Sequence, residues 1–290
     1  MVAEYEIIQG LINGVLLGGV YGLLAVGLSL CFGVTRVANS AHAAFAVVGA
    51  FLSYWVFNLW GLDPIISIAV PVVTLAIAGI VTYRVLLKRV MGLPPMTNFT
   101  LTFFLGFLLE NLMILMWGNQ YRSIITSYGT SSVTLGSISI PLTRLLAFSM
   151  AIACFVILAI FIRFTYTGKA MRALSQNREA SYLMGINVDK LYMLTFAIAL
   201  ATGGAAGTFL SLIYTFYPSV QALWIGKLYV IITIGGLGNM MGSLITAVLL
   251  GILEATVGVF MPAMWSQVAM WGLLLLSLMV KPEGLFGRRR

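Results

Sequence analysis

The chain has 290 residues, of which 61% are hydrophobic and only 8% are charged. So little polar surface cannot cover a water-soluble globule, which excludes a soluble globular protein. The formal net charge of +8 does not indicate nucleic acid either, because the position of basic residues in so apolar a chain reports membrane topology.

Apolar stretches long enough to cross a bilayer recur along the whole chain. A hydrocarbon core of about 30 Å takes about 20 helical residues, and unbroken apolar runs favour helices over a barrel, whose strands alternate apolar and polar residues. We therefore predict an all-α, polytopic membrane protein with about eight to nine segments and a single transmembrane domain over residues 1–290. The predicted segments are 7–32, 43–60, 65–87, 97–117, 144–162, 191–214, a glycine-interrupted region 223–260, and 265–280.

Lysine and arginine cluster in three places, at residues 84–89, 163–190 and 281–290. Because basic loops remain on the cytoplasmic side, all three clusters are predicted to be cytoplasmic, and the C-terminus with them. Residues 118–143 and the N-terminus, which carries Glu4 and Glu6, are then extracytoplasmic. This topology leaves two alternatives for residues 223–260, either two short spans or a re-entrant loop.

A small hairpin is predicted in the extracytoplasmic loop. Residues 132–141 alternate apolar and polar side chains on both sides of Gly136 and Ser137. The hairpin either caps the bundle or contacts an extracytoplasmic partner.

A polar, basic loop over residues 164–190 separates two apolar segments. Lys169 to Leu183 are good helix formers, with Met171 and Leu174 on an apolar side, and Gly185 follows as a stop. The pattern predicts one amphipathic helix on the cytoplasmic face. It either docks a soluble partner, whose groove Met171, Leu174 and Leu183 would fill, or lies on anionic lipid.

The residues of this loop resemble a known family. Glu179-Ala-Ser with Gly185 is similar to the Glu-Ala-Ala…Gly motif of ABC importer permeases, and residues 168–188 resemble the branched-chain (hydrophobic) amino acid uptake permeases. Residues 39–51, 235–243 and 282–287 are similar to further motifs of that family. One departure is Ala43-Ala44, where many relatives carry Gly followed by Glu, so a carboxylate that would contact an ammonium group is absent there.

The resemblance implies the permease subunit of an ATP-driven importer in the bacterial inner membrane. Its cargo would be a small, partly apolar solute, such as a branched-chain amino acid or a related amino acid, organic acid or amide. The implied partners are a homologous second permease, two cytoplasmic ABC ATPase subunits that bind ATP and Mg²⁺, and an extracytoplasmic solute-binding protein. The implied ATPase-coupling residues are Arg172, Arg178, Glu179, Ala180, Ser181 and Gly185.

Candidates for the translocation pathway lie at two helix breaks. His42 is the only histidine, and it either contacts cargo or, with Asn39, ties down the backbone between two helices. The glycine-rich stretch 234–242 supplies flexible backbone at membrane depth. The pathway candidates are Asn39, Ser40, His42, Phe45, Gly235, Gly236 and Gly238.

Two carboxylates, those of Glu110 and Glu254, lie inside apolar segments. Each costs about 2.5 to 3.5 kcal/mol at the bilayer centre when charged and unpaired, so they are neutral, paired or near an interface. A proton-coupled secondary transporter would use them, and interhelical hydrogen bonding is the alternative role. A non-transporting membrane scaffold is a further alternative.

The chain lacks the residues for catalysis of its own. It contains no Gly-x-x-x-x-Gly-Lys-Ser/Thr phosphate loop and no Cys/His metal pattern, and Cys31 and Cys154 lie in apolar runs. We therefore predict a non-enzymatic subunit without a cofactor of its own, so that any ATP is bound by a partner.

Overall fold

The computed structural model describes residues 2–135 and 138–287. It contains a π-helical stretch, Tyr83–Leu87, and a 3-10 turn, Pro218–Val220. The strands are β1 (Ser132–Leu135) and β2 (Ile138–Pro141). The helices are α1 (Val2–Thr35), α2 (His42–Trp60), α3 (Ala69–Thr82), α4 (Lys88–Val90), α5 (Pro95–Trp117), α6 (Leu142–Phe164), α7 (Tyr166–Gln176), α8 (Arg178–Leu183), α9 (Val188–Ile213), α10 (Gln221–Ile234), α11 (Met240–Phe260) and α12 (Ala263–Val280).

The number of membrane segments agrees with the sequence. Among the described residues, seven helices are long and apolar enough to cross a membrane, and two shorter apolar helices, Pro218–Ile234 and Met264–Val280, accompany them. The predicted all-helical polytopic fold with eight to nine segments is thereby confirmed.

The glycine-interrupted region forms two helices joined by a tight turn. α10 ends at Ile234 and α11 begins at Met240, so residues 235–239 form the turn. Gly236 and Gly238 in the turn have φ angles of 84° and 83°, a conformation that side chains with a Cβ rarely adopt. The glycines therefore mark the turn between α10 and α11.

Two helices, α1 and α9, form the centre of the bundle. Their most apolar windows are 89% and 78% buried, respectively. Small residues allow the close contacts that this requires. A Cβ at Gly18 would lie 2.5 Å from the Cα of Val248 on α11, and one at Gly207 would lie 1.9 Å from the carbonyl oxygen of Ala46 on α2.

The predicted hairpin is present and packs on the beginning of α1. β1 pairs with β2 in antiparallel register, with Val133 opposite Ile140. The backbone N–H of Ser139 donates to Oε1 of Gln9 at 3.0 Å, and Nε2 of Gln9 donates to the carbonyl oxygen of Ser139. The predicted turn residues 136 and 137 and the terminal arginines 288–290 lie outside the described residues. The hairpin covers the end of the bundle at which α1 begins.

Candidate functional site

The polar loop between α6 and α9 turns back tightly on α6. The hydroxyl of Thr165 accepts a hydrogen bond from the backbone N–H of Gly168 at 3.0 Å, which caps the start of α7. A Cβ at Gly168 would lie 2.4 Å from the carbonyl oxygen of Phe161, so only glycine permits this approach. The beginning of the loop is thus fixed to the end of α6.

The apolar side of α7 is buried within the chain itself. Met171 and Leu174 are 0% and 3% exposed, in a cluster with Ile162 of α6 and Leu191 of α9. The prediction that these two side chains fill the groove of a partner is wrong, because the ends of the neighbouring spans already cover the apolar stripe of α7. Leu183, in contrast, is 84% exposed.

The single helix predicted from Lys169 to Leu183 is in fact two helices. Asn177 has extended backbone, with φ −148° and ψ 112°, and its side-chain oxygen accepts from the N–H of Ala180 at 3.0 Å. Asparagine favours such caps over helix interiors because its short amide bonds the nearby backbone. The loop therefore breaks at Asn177 and begins a separate short helix, α8.

Internal hydrogen bonds hold α8 in place. Ser181 is 4% exposed, its hydroxyl donates to the carbonyl oxygen of Asn177 at 2.7 Å, and its own carbonyl accepts from the N–H of Ile186 at 3.1 Å. Gly185 follows with φ 74°, the left-handed conformation typical of a helix end. Ser181 and Gly185 thus shape α8, whereas Arg172, Arg178, Glu179 and Ala180 are exposed on the surface of the loop.

The C-terminal end of α8 presents three adjacent, exposed apolar side chains. Tyr182, Leu183 and Met184 are 74%, 84% and 81% exposed. Three consecutive large apolar residues on an ordered, otherwise polar surface are typical of a contact site for another molecule. We call residues 178–184, with their charged and apolar exposed side chains, the α8 surface.

A groove of about 1210 Å³ lies between α8, the start of α9 and residues 83–91, which include the π-helical stretch and α4. Asp189 is central to it, because its two carboxylate oxygens accept from the Tyr83 hydroxyl at 2.6 Å and from Nζ of Lys88 at 2.7 Å. This link between α9 and the α3–α4 region was missed in the sequence. The available signals were Lys88 in a predicted cytoplasmic cluster and an aspartate in the first turn of a helix.

The pathway candidates at the break between α1 and α2 have different surroundings. Ser40 bonds α5 and α10, since its N–H donates to the hydroxyl of Thr102 at 3.2 Å and its own hydroxyl is hydrogen-bonded to that of Tyr229. His42 is fully buried, with Nε2 3.1 Å from the carbonyl oxygen of Leu24 on α1. Asn39 and Phe45 are 1% and 4% exposed. Of these four residues, Ser40 is the one that joins the break to α5 and α10.

The three glycine candidates lie elsewhere, in the α10–α11 turn. A Cβ at Gly236 would lie 2.7 Å from the backbone nitrogen of Gly287, and one at Gly238 would lie 2.8 Å from the Cα of Gly33. Gly235 approaches the backbone of α11. These glycines pack against the C-terminal segment, α1 and α11, whereas Ser40 contacts α5 and α10.

Both carboxylates inside apolar segments have partners. Nε2 of Gln221 donates to Glu110 at 2.9 Å. Glu254 accepts from Lys227 at 2.6 and 2.7 Å, and Lys227 also donates to the Tyr21 hydroxyl at 2.7 Å. Lys227 was missed in the sequence, although a lone basic residue within an apolar stretch is itself a signal for a buried partner.

Metal chemistry has no support in residues 2–135 and 138–287, where no group of three or more His, Cys, Asp or Glu side chains comes together. Among the described residues, Lys88 pairs with Asp189 and Lys227 with Glu254, and the charges of Arg178 and Glu179 lie on the α8 surface. These features, with the apolar helices, define a multi-pass α-helical membrane protein with an ordered polar loop between α6 and α9.

The family follows from comparison with known proteins. A family model described as the branched-chain amino acid transport system / permease component matches residues 10–280. The chain belongs to this family and is a permease component of an ABC transporter, which is not itself catalytic. The resemblance found in the sequence is confirmed.

Relatives match over almost the whole chain. The high-affinity branched-chain amino acid transport system permease protein LivH of Escherichia coli (strain K12) is 26% identical over 97% of this chain and 96% of its own length. The corresponding protein BraD of Pseudomonas aeruginosa is 26% identical over 98% and 97%. A probable LivH of Methanocaldococcus jannaschii is 25% identical over 91% and 88%. No solved structure matches the chain significantly.

Proposed function

We propose that this chain is the permease subunit of an ATP-driven importer of a small, partly apolar solute, a branched-chain amino acid or a related amino acid, organic acid or amide. It acts in the bacterial inner membrane, with the N-terminus outside and the C-terminus in the cytoplasm. The complete importer also contains a homologous second permease, two cytoplasmic ATPase subunits that bind ATP and Mg²⁺, and an extracytoplasmic binding protein. Family membership and the names of the relatives support the cargo class.

The α8 surface is the observation that carries this proposal. Its exposed Tyr182, Leu183 and Met184 suit the groove of an ATPase subunit, and Arg172, Arg178 and Glu179 orient the contact. The proposal treats residues 1–290 as a single transmembrane domain with this loop, residues 164–190, on the cytoplasmic side and the loop 118–143 on the other. The length of α6 between the two loops, about 34 Å, supports opposite sides.

Motion of an ATPase can pass from α8 into the bundle. The cap at Thr165 fixes α7 to α6, the burial of Met171 fixes it to α1 and α9, and Asp189 ties the start of α9 to Lys88. Because these attachments are packed or hydrogen-bonded, a pull on α8 displaces the neighbouring spans as rigid bodies. Ser181 and Gly185 keep α8 in the orientation for contact.

The test combines co-purification with transport. Leu183→Asp places a charge on the α8 surface, and Ile125→Asp makes the same change at a similarly exposed residue, 75% against 84%, in the loop 118–143. We expect Leu183→Asp to abolish co-purification of the ATPase and uptake into liposomes, whereas Ile125→Asp retains the ATPase. Uptake that persists without ATP and collapses with a protonophore would instead establish secondary transport.

A further inference from the structure

One helix of the bundle, α5, has a face that differs from a lipid-facing surface. Its most apolar window is only 17% buried, the smallest share among the seven long helices of the described residues. Phe99, Phe103 and Phe107 follow at intervals of four, so they form one row along this face. Their ring centroids are 6.2 Å and 4.9 Å apart, which makes the row continuous.

Polar groups lie beside this aromatic row. Glu110 is half-buried, and Gln221 donates to its Oε2 at 2.9 Å, while no described residue donates to its Oε1. Asn111 is exposed, and its amide nitrogen donates to the carbonyl oxygen of Phe107, within its own helix. Seven residues separate Glu110 from the end of α5 at Trp117, which places the carboxylate about 10 Å inside the span.

The second half of α6 provides the contrast. Before the last turn, where Arg163 is exposed, its large exposed side chains are apolar, as lipid requires: Val156, Ile157 and Ile160. A carboxylate oxygen without a donor and an exposed amide on α5 would be costly against the same lipid.

At its other end, the row reaches the α1–α2 break. The Phe99 ring lies 6.4 Å from that of Tyr229, whose hydroxyl is hydrogen-bonded to Ser40. The face thus offers a carboxylate near one end, aromatic rings along its length, and uncharged hydroxyl groups near the other. An amphiphilic solute with an ammonium group and an apolar side chain complements this order of groups.

We propose that the α5 face lines a water-filled solute path between this chain and a companion permease of the same family, and that Glu110 binds the ammonium group of the cargo. The aromatic row receives the apolar side chain. Glu110 then supplies, from a different helix, the carboxylate that Ala43-Ala44 lacks. This inference rests on the proposed function, since it assigns the cargo class and the pathway wall of that importer.

Thiol labelling of the assembled importer tests the wall. The background carries Cys31→Ala and Cys154→Ala, so that each variant has a single thiol. Phe103→Cys and Phe107→Cys on α5 are compared with Ile157→Cys on α6, which also replaces an apolar side chain and is 67% exposed. A charged, membrane-impermeant thiol reagent needs water and a thiolate, so we expect the α5 cysteines to react about tenfold faster than the α6 cysteine. Equally slow labelling of all three would place the α5 face against lipid and overturn the proposal.

Uptake measurements test Glu110 as a cargo-binding residue. Glu110→Gln keeps an oxygen for Gln221 but removes the charge, and we expect uptake of an apolar amino acid to fall about tenfold, as for loss of one charge-assisted hydrogen bond. Glu110→Asp should restore part of it, and Glu6→Gln at the exposed N-terminus should leave uptake unchanged. Wild-type uptake by Glu110→Gln would contradict the proposal.

The two hypotheses fail in different ways. If no ATPase co-purifies with the wild-type chain, the proposed importer is wrong whatever the labelling shows. If the ATPase co-purifies and wild-type uptake is driven by ATP, but the α5 cysteines remain unlabelled, only the pathway assignment is wrong.

Discussion

The ammonium group of Lys227 lies 2.6 Å and 2.7 Å from the two carboxylate oxygens of Glu254, between α10 and α11. The two side chains are only 15% and 25% exposed, and Lys227 also donates to the hydroxyl of Tyr21 on α1. The two opposite charges compensate each other inside the apolar segments. Glu254 therefore takes part in a contact that links α1, α10 and α11.

Removal of one member of this pair should destabilise the protein more than removal of both. Lys227→Met leaves Glu254 as an uncompensated buried charge, at a cost of about 3 kcal/mol, whereas the double variant Lys227→Met/Glu254→Gln should recover part of the loss. The thermal unfolding midpoint of the purified protein in detergent measures both. Additive losses in the double variant would show that the two charges do not stabilise each other.

Two glycines on different helices should respond differently to substitution by alanine. Gly207→Ala places a Cβ 1.9 Å from the Ala46 carbonyl oxygen and should cost about 1 to 3 kcal/mol by separating α9 from α2. Gly258→Ala has no atom within 4 Å of the new Cβ and should be neutral or stabilising by up to about 1 kcal/mol. Thermal unfolding of the two variants checks this, and equal midpoints would contradict the close contact between α9 and α2.

Gly185 should tolerate asparagine better than valine. Its φ of 74° is left-handed, and no atom lies within 4 Å of a built Cβ, so the cost of substitution is conformational rather than steric. Asparagine visits this region readily, while valine should lose roughly 1 to 2 kcal/mol and shift α8. Proteolysis of the loop, followed over time, reports the difference. Indistinguishable cleavage of Gly185→Asn and Gly185→Val would argue against a requirement for this conformation.

The break at Asn177 should be sensitive to loss of the cap. Asn177→Ala removes the acceptor for the Ala180 N–H, at a cost of about 1 kcal/mol to α8, whereas Asn177→Asp retains it. Hydrogen exchange of the α8 amides should therefore be about fivefold faster in Asn177→Ala. The amides of α7 serve as the internal control, because their cap is Thr165. Uniform acceleration across both helices would indicate a different mechanism.

Much of the fold was predictable because the bilayer imposes strong local rules. Apolar length is sufficient for the spans, and small residues such as Gly18 and Gly207 lie where neighbouring helices come closest. The break at Asn177 was not predicted, because the residues on both sides of it are good helix formers. Residues of this kind extend or end a helix according to their tertiary contacts.

The sequence by itself determined the class of protein, the approximate spans, the polar loop and the family, because composition, periodicity and motif spacing are local properties of the chain. Tertiary structure alone decided which side chains meet. It buried Met171 within the chain, joined Lys227 to Glu254 across 27 residues, and set Glu110 beside Gln221 across 111 residues. Such pairings depend on how helices pack and rotate, and this is determined by the sum of many small contacts rather than by any local pattern.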